Sequence, residues 1–168
     1  MPLPFEPVRL NRGEPFSHPD WLFEIKWDGF RSIAKIEHGR CKLISRNQNE
    51  FKSFTSLNEA LTEIKAESAV LDGEIVCLDD DGKTQFTDLL FRRGEPRFIA
   101  FDILSYEGQN LRYSPLIERK QRLRSIIHKR QNGRLLYCDH VENDGIGLFR
   151  LACANDLEGI VAKPKYSP

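Results

Sequence analysis

Glu24-Ile25-Lys26-Trp27-Asp28-Gly29-Phe30-Arg31 is the stretch on which the fold turns. Phe23, Ile25 and Trp27 alternate with Glu24, Lys26 and Asp28, and a period of two puts an apolar and a charged row on opposite faces of a half-buried strand. The pattern predicts a strand over 23–28 that Gly29 ends, a residue that also lets the backbone approach a ligand closely. Alone, a lysine between two carboxylates describes an exposed charge ladder as readily as a site.

Outward from that strand, 30–37 (FRSIAKIE) and 40–45 (RCKLIS) read as strands joined by a hairpin turn at His38-Gly39. Ser56 with Glu59 forms a capping-box pattern, and Leu57, Ala60, Leu61 and Ile64 make one helical stripe. Residues 69–78 (AVLDGEIVCL) read as a strand closed by the turn cluster Asp79-Asp80-Asp81-Gly82, and 97–104 (RFIAFDIL) as another closed by Tyr106-Glu107-Gly108. Ser114 and Pro115 suit the cap and first position of a basic helix whose stripe is Leu116, Leu123, Ile126 and Ile127. A strand over 134–141, a helix over 143–154 and a strand over 157–163 complete the chain. Strands follow strands more often than they alternate with helices, which predicts an α+β domain of mostly antiparallel sheets flanked by helices. Residues 1–20, proline-rich and without period, read as an extended N-terminal arm, leaving 21–168 as the domain.

Composition bounds the class. The 168 residues and 19.5 kDa suit one domain, and 40% hydrophobic residues are too many for a disordered chain. The sequence has no apolar run of membrane-spanning length and no signal-peptide pattern at its start. Cys41, Cys77, Cys138 and Cys153 are far apart, with no Cys-x-x-Cys pair, so a reduced, cytoplasmic protein is expected. Net charge is zero, but residues 59–81 hold eight acids against one base, and residues 92–134 hold eleven bases against four acids. A basic segment of that kind is either a solvated helix face or a surface for a phosphate backbone, whose binding would fall steeply with salt.

Three further segments carry chemistry. In Leu71-Asp72-Gly73-Glu74-Ile75-Val76, Asp72 and Glu74 share a strand face; such carboxylates are costly to bury unpaired, and a hard cation or a sugar hydroxyl would explain them. Phe98-Ile99-Ala100-Phe101-Asp102-Ile103-Leu104 places an aromatic ring mid-strand. In Leu157-Glu158-Gly159-Ile160-Val161-Ala162-Lys163 an acid and a base would face opposite ways, unless a bulge or twist at Gly159 brings them together.

In this order the motifs resemble the covalent nucleotidyltransferase superfamily of ATP-dependent DNA ligases, RNA ligases and mRNA-capping guanylyltransferases. Lys26-Trp27-Asp28-Gly29-Phe30-Arg31 matches that family's Lys-x-Asp-Gly-x-Arg motif, and Ser45-Arg46-Asn47 its Ser-Arg element. Asp72-Gly73-Glu74 matches its Asp-Gly-Glu motif, Phe101-Asp102 its aromatic-Asp motif, and Glu158 to Lys163 its Glu-Gly-x-Val-x-Lys motif. EIKWDGFR, LDGEIV, FDIL and LEGIVAK are most similar to bacterial ATP-dependent DNA ligases of the non-homologous end-joining type.

The resemblance implies an ATP-grasp-like nucleotidyltransferase fold in which Lys26 attacks the α-phosphorus of ATP and keeps AMP. The AMP would pass to a DNA 5′-phosphate, from which a 3′-hydroxyl displaces it. A free lysine, with a pKa of roughly 10.4, needs nearby cations to lose its proton near neutrality. The implied helpers are Lys163 as second cation and α-phosphate contact, and Glu74 and Glu158 as ribose and metal carboxylates for Mg²⁺ or Mn²⁺. Phe101 would stack on adenine, Glu24 would accept the adenine amino group, and Arg31 and Arg46 would hold ribose and phosphates. The expected partner is nicked or broken double-stranded DNA at the bacterial nucleoid, with no membrane. The family pattern continues to a two-lysine motif and an OB-fold domain not found up to Lys165-Tyr166-Ser167-Pro168. An adenylation domain incomplete at its C-terminal side is therefore expected, relying on an OB-fold domain or an end-joining partner for sealing. The motifs leave open an RNA ligase, a capping-type guanylyltransferase and a non-catalytic nucleotide- or DNA-binding remnant.

Overall fold

The computed structural model describes residues 10–128 and 133–168. Residues 1–9 of the expected arm, and Lys129 and Arg130 of the basic segment, lie outside the described residues. In chain order the elements are β1 (Trp21–Ile25), β2 (Phe30–Glu37), β3 (Arg40–Ser45), α1 (Thr55–Leu61), β4 (Ser68–Val76), α2 (Phe86–Leu90), β5 (Arg97–Tyr106), β6 (Gln109–Asn110), α3 (Leu116–His128), β7 (Leu135–Tyr137), β8 (His140–Glu142), α4 (Gly145–Ala154) and β9 (Ile160–Pro164).

They form two sheets. The large one runs β3-β2-β4-β5-β6, with β7 also on β5, and the small one runs β8-β1-β9. All pairings among the described strands are antiparallel except β5–β7. The α+β reading is therefore correct. The β2–β3 hairpin turns at His38 and Gly39, with φ of 48° and 72°, the paired positive values whose twist matches the flanking strands.

Parity assigns the faces of the large sheet. Leu71 and Ile75 of β4 and Phe98, Ala100 and Ile103 of β5 join Leu57 and Leu61 of α1 and Leu123, Ile126 and Ile127 of α3 in the main core. Each such Leu, Ile or Phe side chain contributes roughly 1.5–3 kcal/mol by leaving water. The opposite face of β4 and β5 carries Val76, Ile99 and Phe101, which cluster with Trp27, Leu136 and Cys138.

Several boundaries differ from the sequence reading. β1 ends at Ile25, and Leu22, Phe23 and Glu24 are all buried, because β1 is the central strand of its sheet rather than a two-faced ladder. The expected strand over 134–141 is broken at Cys138-Asp139, where the chain crosses from the large sheet (β7) to the small one (β8). The Ser56 capping box does not form: α1 begins at Thr55 behind Phe54, whose ring is buried, and no side chain caps it. Burying an aromatic ring outweighs a cap bond worth ~1 kcal/mol. The first free amides of α3 are met from outside, by Ser167 O to Leu116 N (2.9 Å) and Lys165 O to Ile117 N (3.0 Å).

Candidate active site

The β1–β9 ladder builds the site. Ile25 pairs with Ile160, so the chain beyond each strand end continues side by side, and Lys26 N donates to Gly159 O at 2.9 Å. Gly159 has φ +145°, a backbone conformation L side chains rarely adopt. The turn it makes brings Glu158 to Lys26, and the two side chains form an ion pair, each a little over one third exposed. The twist at Gly159 is thus what joins the two motifs. Gly29, by contrast, serves packing rather than a ligand: a Cβ there would lie 2.1 Å from Ile75 O of β4.

Behind Lys26 is a row of three charges, of which Glu24 and Lys120 are buried and Lys163 is partly exposed. Leu22 pairs with Lys163 and Glu24 with Val161, which makes Glu24 and Lys163 diagonal neighbours on one face of the sheet. Lys163 Nζ donates to Glu24 Oε2 at 2.6 Å. From the other side Lys120 of α3, fully buried, donates to Glu24 Oε1 (2.5 Å), Cys138 O (2.9 Å) and Phe101 O (3.3 Å). Burial alone would raise the Glu24 carboxyl, but Lys163 and Lys120 hold it below the usual carboxylate range.

The large sheet supplies the facing wall. In the β4–β5 ladder Gly73 pairs with Ala100 and Asp72 with Asp102, leaving Phe101 as the extra residue of a β-bulge that turns Phe101 toward the site. Lys163 Nζ lies 4.4 Å and Arg31 Cζ 5.4 Å from the Phe101 ring centroid. Arg31 forms a fork with Asp72, Nε to Oδ1 at 3.2 Å and Nη2 to Oδ2 at 2.9 Å. Asp72 thus has the Arg31 guanidinium as its partner rather than a metal ion, although burial still holds its carboxyl above the ordinary value. Arg46 stands exposed in the turn after β3.

Glu74 is different. Burial first, and then Asp72 and Asp28, push its carboxyl up to about 7 against the pull of Arg31 and Lys26. Its folded value lies above its ordinary 4.5, so the stability linked to it is present below about pH 4.5 and is lost as pH rises to about 7. Chemical denaturation of wild type and Glu74→Gln across that range should show the wild type losing stability relative to the variant as pH rises, with no further divergence above it. Parallel curves would place Glu74 in a solvent-like setting.

A cleft of about 400 Å³ opens beside the Lys26–Glu158 pair, lined by Asp28, Lys83, Gln85, Asp156 and Glu158 among others. Among the described residues no three of His, Cys, Asp and Glu converge as a metal cluster. Around the cleft Asp28, Asp156 and Glu158 outnumber Lys83, a set of oxygen donors that suits a hard cation. Mg²⁺ commonly takes one or two protein carboxylates and completes its shell with water and phosphate oxygens.

The structure thus gathers Glu24, Lys26, Arg31, Glu74, Phe101, Glu158 and Lys163 around β1, β2, β4, β5 and β9, whereas Arg46 is exposed in the turn after β3. Two residues were missed by sequence reasoning. Lys120 and Arg119 of the supposed outward basic face point inward, Arg119 gripping Asp102 at 2.9 and 3.0 Å and the carbonyls of Ser114 (2.6 Å) and Ser167 (3.3 Å). The signal was available: 119 and 120 fill the gap in the stripe between Leu116 and Leu123.

Residues 14–168 match the family model described as ATP dependent DNA ligase domain. The multifunctional non-homologous end joining protein LigD of Pseudomonas aeruginosa is 32% identical over 150 residues, covering 86% of this chain and 18% of that protein. The crystal structure of the ligase domain of Mycobacterium tuberculosis LigD superposes with a TM-score of 0.83 at 28% identity, over 94% of this chain and 52% of that one. A mycobacterial DNA ligase D complexed with ATP and MES gives 0.80 at 29% identity, over 90% and 50%. The chain therefore spans about a fifth of the LigD relative and about half of the two ligase chains. Among the described residues no helix is long and apolar enough to cross a membrane.

Proposed function

The chain belongs to the family of ATP-dependent DNA ligase domains, and from that premise we propose that it takes AMP from ATP onto Lys26 and delivers it to a DNA 5′-phosphate. The observation that carries this reading is the position of Lys26. Its amine stands at the end of β1, paired with Glu158, between a polar cleft and a wall bearing Phe101, Arg31 and Glu74.

In the proposed reaction the unprotonated Lys26 Nζ attacks the α-phosphorus, a nitrogen–phosphorus bond forms, and the bond to the β-phosphate breaks to release pyrophosphate. Phe101 offers the ring on which adenine stacks, and Glu24 the carboxylate that accepts from its amino group. Lys163 is the cation for the α-phosphate, and Arg31 and Arg46 are those for ribose and phosphates. Glu158 holds the lysine amine in place before nucleotide enters. Glu74 and Glu158 are the carboxylates suited to Mg²⁺, which when bound with the nucleotide supplies charge neutralisation at the phosphoryl oxygens. Residues 21–168 act as the adenylation domain. Nicked or broken double-stranded DNA is the proposed acceptor, with an OB-fold domain or an end-joining partner completing the seal. Membership of the DNA-ligase family disfavours the RNA-ligase and guanylyltransferase alternatives.

The test is incubation of the chain with α-labelled ATP or GTP and Mg²⁺, followed by denaturing electrophoresis. An acid-labile adduct with ATP, absent with GTP or with chelator, is expected. An adduct with GTP alone would move the chain to the capping class, and none with either would reduce it to a binding domain.

A further inference from the structure

Lys163 rests on two groups, and both are the ones assigned above to the base. Its Nζ donates to Glu24 Oε2 at 2.6 Å and lies 4.4 Å from the Phe101 ring centroid. A base stacked on Phe101 with its amino group on Glu24 takes both places. Lys163 stands where that base would come to rest.

The other lysine on Glu24 is built to stay. Lys120 is fully buried and donates also to the Cys138 and Phe101 carbonyls, whereas among the described residues Glu24 is the one hydrogen-bond partner found for Lys163, whose side chain is 23% exposed. Removing Lys163 from Glu24 leaves that carboxylate still paired with Lys120.

Building on the nucleotide site proposed above, we infer that Glu24 holds Lys163 in reserve and that an incoming 6-amino base displaces it, freeing its ammonium for the phosphates. The base and the phosphate grip are then coupled. A purine without a 6-amino group leaves Glu24 to Lys163, so its phosphates are held less well. Selection of adenine is in this way transmitted to the reacting end of the nucleotide.

A binding square tests this without chemistry. Adenosine, purine riboside (adenosine lacking the amino group) and their two 5′-triphosphates are titrated calorimetrically, with Mg²⁺, into the Lys26→Ala protein, which has no nucleophile. The triphosphate should strengthen binding by roughly tenfold more in the adenine pair than in the purine pair, a typical coupling between sites. In Lys163→Met the two gains should become equal while adenosine itself still binds. Equal gains in the parent protein would overturn the exchange and leave Lys26 and its pocket as assigned. Failure of adenosine and ATP to bind at all would overturn the pocket reading and the exchange with it. The parent square does not depend on how well Lys163→Met folds.

Discussion

Lys26→Ala loses the nucleotide adduct by more than ~10³-fold, because it removes the only nitrogen proposed to attack phosphorus and leaves nothing to substitute for it. The same change should barely touch stability. Lys26 and Glu158 are each more than one third exposed, and an exposed ion pair is worth about 0–1 kcal/mol. Denaturant midpoints of wild type and variant should therefore nearly coincide while labelling disappears. A variant that still labels would reject Lys26 as nucleophile. One that unfolds would show that the pair with Glu158 holds β1 to β9 far more strongly than its exposure allows.

Lys120→Met is expected to do the reverse. Methionine approximates the lysine stem but donates nothing, so Glu24 keeps only Lys163 and two backbone carbonyls lose a donor. Breaking one side of a buried ion pair costs about 3–5 kcal/mol, because the remaining charge stays out of water. Urea unfolding should show a loss of that size with an unchanged slope. Adding Glu24→Gln to Lys120→Met should recover part of it, since a neutral amide needs no counter-charge. A loss below about 1 kcal/mol would mean that Glu24 is solvated in practice and not held by its lysines.

The local elements were legible in the sequence where one rule governed them. The 40–45 strand and its hairpin turn, the two-residue period of β4 and the apolar stripe of α3 follow from spacing alone. Errors arose where tertiary contacts overruled a local signal. Glu24-Ile25-Lys26 reads as an alternating ladder, yet Glu24 is buried because two lysines distant in sequence supply its partners. Nothing local to 134–141 announces a strand that changes sheets at Cys138-Asp139. Arg119 and Lys120 look like surface charge until the stripe of α3 is continued through them. For the site, the motifs named the side chains, but only the register of β1 against β9 and the bulge at Phe101 explain how they meet.

The most direct measurement is the location of AMP on the polypeptide. After incubation with ATP and Mg²⁺, digestion under conditions that preserve the phosphoramidate and mass mapping of the peptides should place a single AMP on Lys26. Recovery of AMP on Lys163, Lys120 or another side chain, with Lys26 unmodified, would contradict the account.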